Sequence, residues 1–365
     1  MSRTAEATTY EYHADEPVPV GATLNQWLTV NDMTQAEFAR RSGLSTKHVY
    51  QVARGSSGVS PDVALSFENV TGIPARYWNQ LEANFRTHEA LAKEDEELKR
   101  HIDILKLFPI AELVQRKALE SFRNPVEQLR ALLRFFGVAS VEALEATRMS
   151  DARLRASRAF APDDAALSCW LRIAELKARD VQVSPFDPVA CEAAIPDFRS
   201  LTTLEGMDWW DPLVDRCASV GIALVKVKEL PKSHINGATQ WISPNRAMIA
   251  LSLRHRRHDV VWFTFFHELR HVLRHGRKQT FVDATGSQVP ADLELDADRF
   301  ASRVLIAPEH ETELREVATK DDAKDLAQRL GVDVSIIVGR LQHENLVPFN
   351  RWNDLVRRMP AGSAD

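Results

Sequence analysis

The sequence predicts an α+β chain that is mostly helical: a helix-turn-helix at the front, a helical middle, and a C-terminal domain that sets a candidate metal-ligating helix against a small β-sheet. Three observations predict this. Short capped helices joined by a glycine turn fill 34–72. Apolar residues at helical spacing run through the middle without clustered catalytic residue types. The apolar stretch 260–273 contains His267-Glu268-Leu269-Arg270-His271, an HExxH motif. The expected divisions are a tail at 1–20, the helix-turn-helix at 21–86, a helical middle at 87–200, the HExxH domain at 201–320 and a helical segment at 321–365.

The first twenty residues are polar, with Pro17 and Pro19, and lack a basic start followed by an apolar run, so they read as a tail without a signal peptide. Thr34 followed by Glu37 is a capping-box pattern and starts a helix. Gly43 suits the turn, Ser45 caps a second helix, and Ser60-Pro61 starts another that Gly72 ends. Two short helices around a glycine turn describe a helix-turn-helix. The stretch 86–100 is highly charged and reads as an exposed connector helix.

In the middle, Asn124-Pro125 opens a helix that Gly137 ends, and 165–178 is a further helix with apolar helical spacing. Trp170 reads as a core residue. This region is expected to couple the two ends or to contribute to a dimer interface. Further on, 221–227 and 247–253 read as strands of a small sheet beside the HExxH helix. An edge strand there can hold an extended peptide by strand addition. His234 and Trp241, between these strands, are candidates for the cleft, with His234 a candidate oxyanion stabiliser and a solvent-exposed loop histidine as its plain alternative.

One helical turn separates His267 from His271, so both point the same way and can hold a zinc-type ion. Glu268 beside them can take a proton from water at that ion. The surrounding helix is apolar on most sides, so these polar groups are buried and need partners. Glu294 and Asp298 share a face of the next helix. Glu294 is assigned as third ligand, and Asp298 as acceptor of a hydrogen bond from the non-ligating nitrogen of a histidine. Geometry alone leaves Asp296 or Asp298 open as the ligand. Ala297 lets the two helices approach closely. His275, one turn past His271, is a cleft candidate. Zn2+ is the default for a His-His-Glu set, and Mn2+ or Fe2+ also suit it. After Pro308, the pair 323–330 and 334–342 has the rhythm of a helix-turn-helix, but Asp321, Asp322, Asp325 and Asp333 make DNA contact unattractive, so it is expected to pack on the HExxH domain.

The segments WFTFFHELRHVLRHG and ELDADRFASRVLIAP, with HINGATQWISPNRAMIALSLR upstream, resemble the ImmA/IrrE family of zincin-like metallopeptidases. The resemblance covers about the last half of the chain. It implies metal ligands His267, His271 and Glu294, with Glu268 as base, and a peptidase that cleaves a repressor- or antitoxin-like protein in a stress response. The family commonly has glycine where this chain has Arg270, a departure that bears on the cleft. The stretches TQAEFARRSGLSTKHVYQVARG and VSPDVALSFENVTGIPARYW resemble the HigA-like antitoxins of the lambda-repressor-like (XRE) class. That implies operator DNA as a partner, binding as a homodimer, and a cognate toxin as a further partner. Thr46, Lys47, His48 and Gln51 would then face the major groove, and Gln35 and Arg54 would meet phosphates. The rival to a peptidase is an antitoxin-like repressor whose metal site is structural or sensory.

A net charge of −5 argues against a broad nucleic-acid-coating role, so DNA contact is expected to be local. The region 40–54 carries four basic residues and no acid. Cys169, Cys191 and Cys217 are widely spaced with no CxxC, which suits a reducing cytoplasm and argues against a cysteine-ligated zinc. No apolar run is long enough to span a membrane.

Overall fold

Polar side chains start each helix of the reading motif. The computed structural model describes residues 17–150, 162–231, 233–274, 281–284 and 291–360. Its N-terminal unit ends at His101 and contains α1 (Val20–Val30), α2 (Gln35–Ser42), α3 (Thr46–Ala53), α4 (Pro61–Thr71) and α5 (Ala75–Lys99). Thr34 Oγ1 accepts from the Glu37 amide at 3.2 Å, Ser45 from His48 at 3.1 Å and Ser60 from Val63 at 3.3 Å. Each satisfies a first-turn amide that the helix itself leaves unpaired. Gly43 and Gly72 both sit at φ 72°, the left-handed conformation that ends α2 and α4.

The expected capping box on α2 is only half made. Thr34 caps, but the Glu37 carboxylate turns instead to Arg40 and to Arg41 Nε, the latter at 2.7 Å. Arg41 and Arg40 hold its pKa below the ordinary value. The core joins Leu24, Phe38, Val49, Phe67 and Trp78, with edge-to-face contacts of 5.1 Å between Phe38 and Phe67 and 5.3 Å between Phe67 and Trp78. α1 has no side-chain cap to announce it in the sequence. Its close approach to α3 depends on Gly21, where a methyl group would lie 2.6 Å from the Ala53 carbonyl oxygen. α5 runs unbroken through 86 to Lys99, so the division expected at 86 falls within a helix.

The second unit, Ile102–Asp365, contains α6 (Ile110–Gln115), α7 (Pro125–Phe136), α8 (Val141–Ser150), α9 (Pro162–Asp180), α10 (Pro188–Ala193), α11 (Ile195–Ser200) and α12 (Trp210–Ser219) ahead of the sheet. The strands are β1 (Ile222–Lys226), β2 (Ile235–Ser243), β3 (Arg246–Leu251) and β4 (Phe281–Ala284), and the helices α13 (His258–Arg274), α14 (Ala291–Leu305), α15 (Glu311–Glu316), α16 (Lys320–Leu330) and α17 (Val334–His343) complete it. The strand order is β1-β3-β2-β4; β1 runs parallel to β3, and the other pairs are antiparallel. The two strands read from the sequence are β1 and β3, and β2 lies between β3 and β4. Among the described residues, the edges of the sheet are β1 and β4.

β1 and β3 are buried along almost their whole length, as strands covered on both sides are. α13 packs on β2 and β3, while α9 packs on β1, β2 and β3. Trp170 on α9 is fully buried, and its Nε1 donates to the Val227 carbonyl at 2.9 Å. Arg116, from the end of α6, donates to the Lys228 and Glu229 carbonyls at 2.5 and 2.7 Å. These contacts fasten the middle helices to the segment leaving β1, so 102–200 belongs to the same unit as the HExxH helix. α16 starts with a complete capping box between Thr319 and Asp322, and α17 packs on α13 as expected for the C-terminal pair. Among the described residues, no helix is long and apolar enough to cross a membrane.

Candidate metal centre

α13 is anchored at its first residue. His258 Nε2 donates to the Thr202 carbonyl at 2.8 Å, and burial pushes the His258 pKa down despite that bond. Trp262, Phe265, Phe266 and Leu269 fill the core below the helix. This packing fixes the rotation of α13 and so the direction of His267 and His271, which are both buried.

His267 Nε2 and His271 Nε2 lie 3.1 Å apart. Glu294 Oε2 is 3.3 Å from His267 Nε2, and Glu294 Oε1 is 3.8 Å from His271 Nε2. These three side chains offer ligand atoms that all lie within 4.8 Å of one another. His267 Nδ1 lies 2.8 Å from Asp298 Oδ1, so it carries the proton and donates to the carboxylate. That leaves the lone pair of Nε2 directed at the cluster. Glu294 Oε1 is buried and has no hydrogen-bond partner among the described residues. Converging lone pairs with a buried, unpartnered carboxylate oxygen are costly by themselves and fit a divalent cation. Two imidazoles and one carboxylate match the donor set of zinc, and also suit manganese or iron. α13 and α14 reach this separation because the buried Ala297 and Ala301 face the contact.

Glu268 is fully buried, and its Oε2 accepts a hydrogen bond from Thr239 Oγ1 at 2.7 Å. The same hydroxyl lies 3.0 Å from the Glu268 carbonyl. Two residues earlier on β2, Gly237 meets the same part of α13: a methyl there would lie 2.6 Å from Thr264 Cγ2 and 3.0 Å from Glu268 Oε1. The sequence reading missed both residues. Their signal is the period-2 alternation that puts 237 and 239 on one face of a strand.

Arg270 does not project into the cluster. Its Nε donates to Asp296 Oδ2 at 2.6 Å and its Nη2 to Asp296 Oδ1 at 3.1 Å, while the guanidinium lies 5.2 Å from the Phe300 ring centre. Asp296 is thus engaged by Arg270, and the groups that converge are His267, His271 and Glu294. Two other cleft candidates lie elsewhere. Trp241 packs edge-on against Phe186, with ring centres 5.0 Å apart, and His234 is exposed ahead of β2 at φ 45°. His275 lies outside the described residues.

On the helix-turn-helix, Thr46, Lys47 and Arg54 are exposed and Gln51 is half-buried. His48 is half-buried with its Nε2 turned away from solvent, which differs from the expected groove-facing role. Gln35 Nε2 donates to Asn25 Oδ1 at 3.4 Å. Tyr50, missed from the sequence, is 48% exposed, and its hydroxyl accepts from Arg54 at 2.7 Å.

Comparison with protein families matches residues 220–342 to the IrrE N-terminal-like domain of the M78 peptidases, and residues 31–78 to a helix-turn-helix family. The chain carries an IrrE N-terminal-like domain and an XRE-like helix-turn-helix. The first match takes in all four strands, α13 and α14, and supports a metallopeptidase-like enzyme. No curated protein matches the chain. Solved structures similar to part of it include PA4674 from Pseudomonas aeruginosa in complex with its operator DNA, at 25% identity, covering 21% of this chain and 85% of that one with a TM-score of 0.21. The Pseudomonas aeruginosa antitoxin HigA with the higBA promoter is 23% identical, covering 23% and 94% with a TM-score of 0.22. A HigA-family addiction module antidote protein from Coxiella burnetii is 20% identical, covering 23% and 94% with a TM-score of 0.22.

Proposed function

We propose that this protein is a DNA-binding regulator joined to a metallopeptidase that cleaves a repressor- or antitoxin-like protein, its own helix-turn-helix included, in a stress response. The observation that carries the reading is the convergence of His267, His271 and Glu294 beside the buried Glu268. A divalent cation held there supplies Lewis-acid polarisation of a peptide carbonyl and of water. Glu268 takes the proton of the attacking water and passes it to the leaving amine. Thr239 holds the Glu268 carboxylate in place from β2. Asp298 fixes the ring of His267. A core of aromatic side chains under α13 keeps bulk water from the back of the site. The edge strand β4 is suited to receive an extended peptide by strand addition.

At the front, Thr46, Lys47 and Gln51 present the major-groove surface of an operator reader, and Arg54, braced by Tyr50, meets a phosphate. A homodimer follows from the class of reader, and a toxin is a further partner. The experiment is incubation of the purified zinc-loaded chain with operator-bound repressors from its host. The reading expects cleavage that stops with chelator and in Glu268→Gln, with operator binding kept. Operator binding that needs metal, with no cleavage under any condition, would replace it with a metal-dependent repressor.

A further inference from the structure

The first half of α13, the end of α14 and α17 surround a cavity of ≈ 470 Å³. None of His267, Glu268, His271, Glu294 or Asp298 lines it, so it stands apart from the metal cluster. Its apolar wall is Val260 and Phe263 from α13, Leu305 and Ile306 from the end of α14, and Ile336 from α17. α17 can come this close to α13 because residue 339 is glycine; a methyl there would lie 2.7 Å from Asp259 Cβ.

The charged groups of the lining are not equivalent. Arg257 is held by its own wall: Nε and Nη2 donate to Asp259 at 3.1 and 2.9 Å, and Nη2 donates also to Gln342 Oε1 at 2.8 Å. The charges of Arg257 and Asp259 therefore cancel. Arg340 differs. Only its Nε is engaged, donating to Glu344 Oε1, and neither Nη has a partner among the described residues. Its side chain is 23% exposed. His255 and His343 line the cavity from exposed positions. Asn236 of β2 also lines it; its Oδ1 is buried and has no hydrogen-bond partner among the described residues. With no bond fixing it, that amide can turn its NH2 to an anion. An apolar wall beside an open guanidinium edge fits a ligand with an apolar body and an anionic head.

We infer that this cavity is a binding site, separate from the metal centre, for a small organic monocarboxylate with an apolar chain: the chain lies against Val260, Phe263, Leu305 and Ile336, and the carboxylate meets the Nη edge of Arg340. The two Nη groups present a pair of parallel N–H donors, which match the two oxygens of a carboxylate. Glu344 offsets the charge of Arg340, and His255 and His343 can supply positive charge at the same end. Burial of the chain alone would admit any apolar molecule, so the carboxylate is what Arg340 selects. The inference is independent of the peptidase reading. A ligand bound to the folded chain alone also stabilises it.

The test titrates octanoate, acetate and 1-octanol into the full-length chain by calorimetry, once zinc-loaded and once after chelation. Acetate carries only the head, and 1-octanol only the chain. Octanoate is expected to bind about tenfold tighter than either, or more, with equal affinity in both forms of the protein. Arg340→Gln should weaken octanoate by roughly ten- to a hundredfold, the scale of a charge-assisted hydrogen bond, and leave 1-octanol unchanged. Arg340→Lys keeps the charge without the fork and should recover part of the loss. Ser302, on α14, also lines the cavity, and Ser302→Phe fills it. That variant should abolish binding of both octanoate and 1-octanol, so the result does not hang on α17 alone. Octanoate that binds no tighter than 1-octanol overturns the inference, as does an affinity that neither Arg340→Gln nor Ser302→Phe lowers. Octanoate binding lost on chelation would place the ligand at the metal centre and overturn it as well.

Discussion

Arg270 and Asp296 form a two-pronged ion pair that bridges α13 and α14, with donor–acceptor distances of 2.6 and 3.1 Å. The pair takes both carboxylate oxygens of an acid that lies between Glu294 and Asp298 in sequence. Because the pair is partly exposed, a double-mutant cycle through Arg270→Ala and Asp296→Ala is expected to give a coupling of about 0.5–1 kcal/mol. Zinc affinity should stay unchanged in Asp296→Ala. Loss of the metal in that variant would make Asp296 a ligand.

Asp298 acts through His267. Removing its carboxylate releases the ring orientation and the proton position, so Asp298→Ala is expected to weaken zinc by about ten- to a hundredfold. Competition against a fluorescent chelator measures this directly. An affinity equal to wild type would leave the 2.8 Å contact without a role at the metal.

Gly237 leaves no room for a side chain between β2 and the Glu268 segment of α13. Gly237→Ala must push against Thr264 and Glu268, and overpacking of this kind costs about 1–3 kcal/mol. The expected result is a lowered melting temperature together with reduced cleavage, since the displaced group is Glu268 itself. Unchanged melting and unchanged activity would contradict the close approach.

His258 predicts a pH dependence. Burial sets its folded pKa below the unfolded value of about 6.5, so the unfolded chain takes up the proton first. The stability it contributes is present above that unfolded value and is lost as pH falls through the folded one. His258→Gln keeps a donor for the Thr202 carbonyl but does not titrate. Its melting temperature should therefore fall less than that of wild type between about pH 7.5 and about pH 5.5. Equal slopes would remove His258 from the account.

For the reading head, Arg54→Ala is expected to weaken binding to all sequences and to reduce the salt slope by about one, as loss of a phosphate contact does. Gln51→Ala should instead alter discrimination between operator variants. Binding isotherms at several salt concentrations on matched and mismatched duplexes separate these outcomes.

Much of this was legible because the relevant signals are local. Caps at Thr34, Ser45, Ser60 and Asn124 and glycines at 43, 72 and 137 are set by the backbone chemistry of neighbouring residues, and they reappear at the ends of the corresponding helices. The HExxH spacing likewise fixes two side chains on one helix face. What did not follow from sequence depends on partners far along the chain. β2 was reached only through the family resemblance of its stretch, because glycine and polar residues interrupt its apolar pattern where α13 comes close. The service of Thr239 to Glu268, and of Asp296 to Arg270, needs the packing of β2 and α14 on α13. α1 has no capping side chain, and its place is set by contact with α3.

The most direct test of the central claim is a survey of new protein N-termini in host cells under stress, comparing wild type with Glu268→Gln. The account predicts at least one cut, in a repressor- or antitoxin-like protein or in this chain, that is present in wild type and absent in the variant while zinc and operator occupancy are equal. Identical sets of N-termini, with metal and operator bound in both, would contradict it.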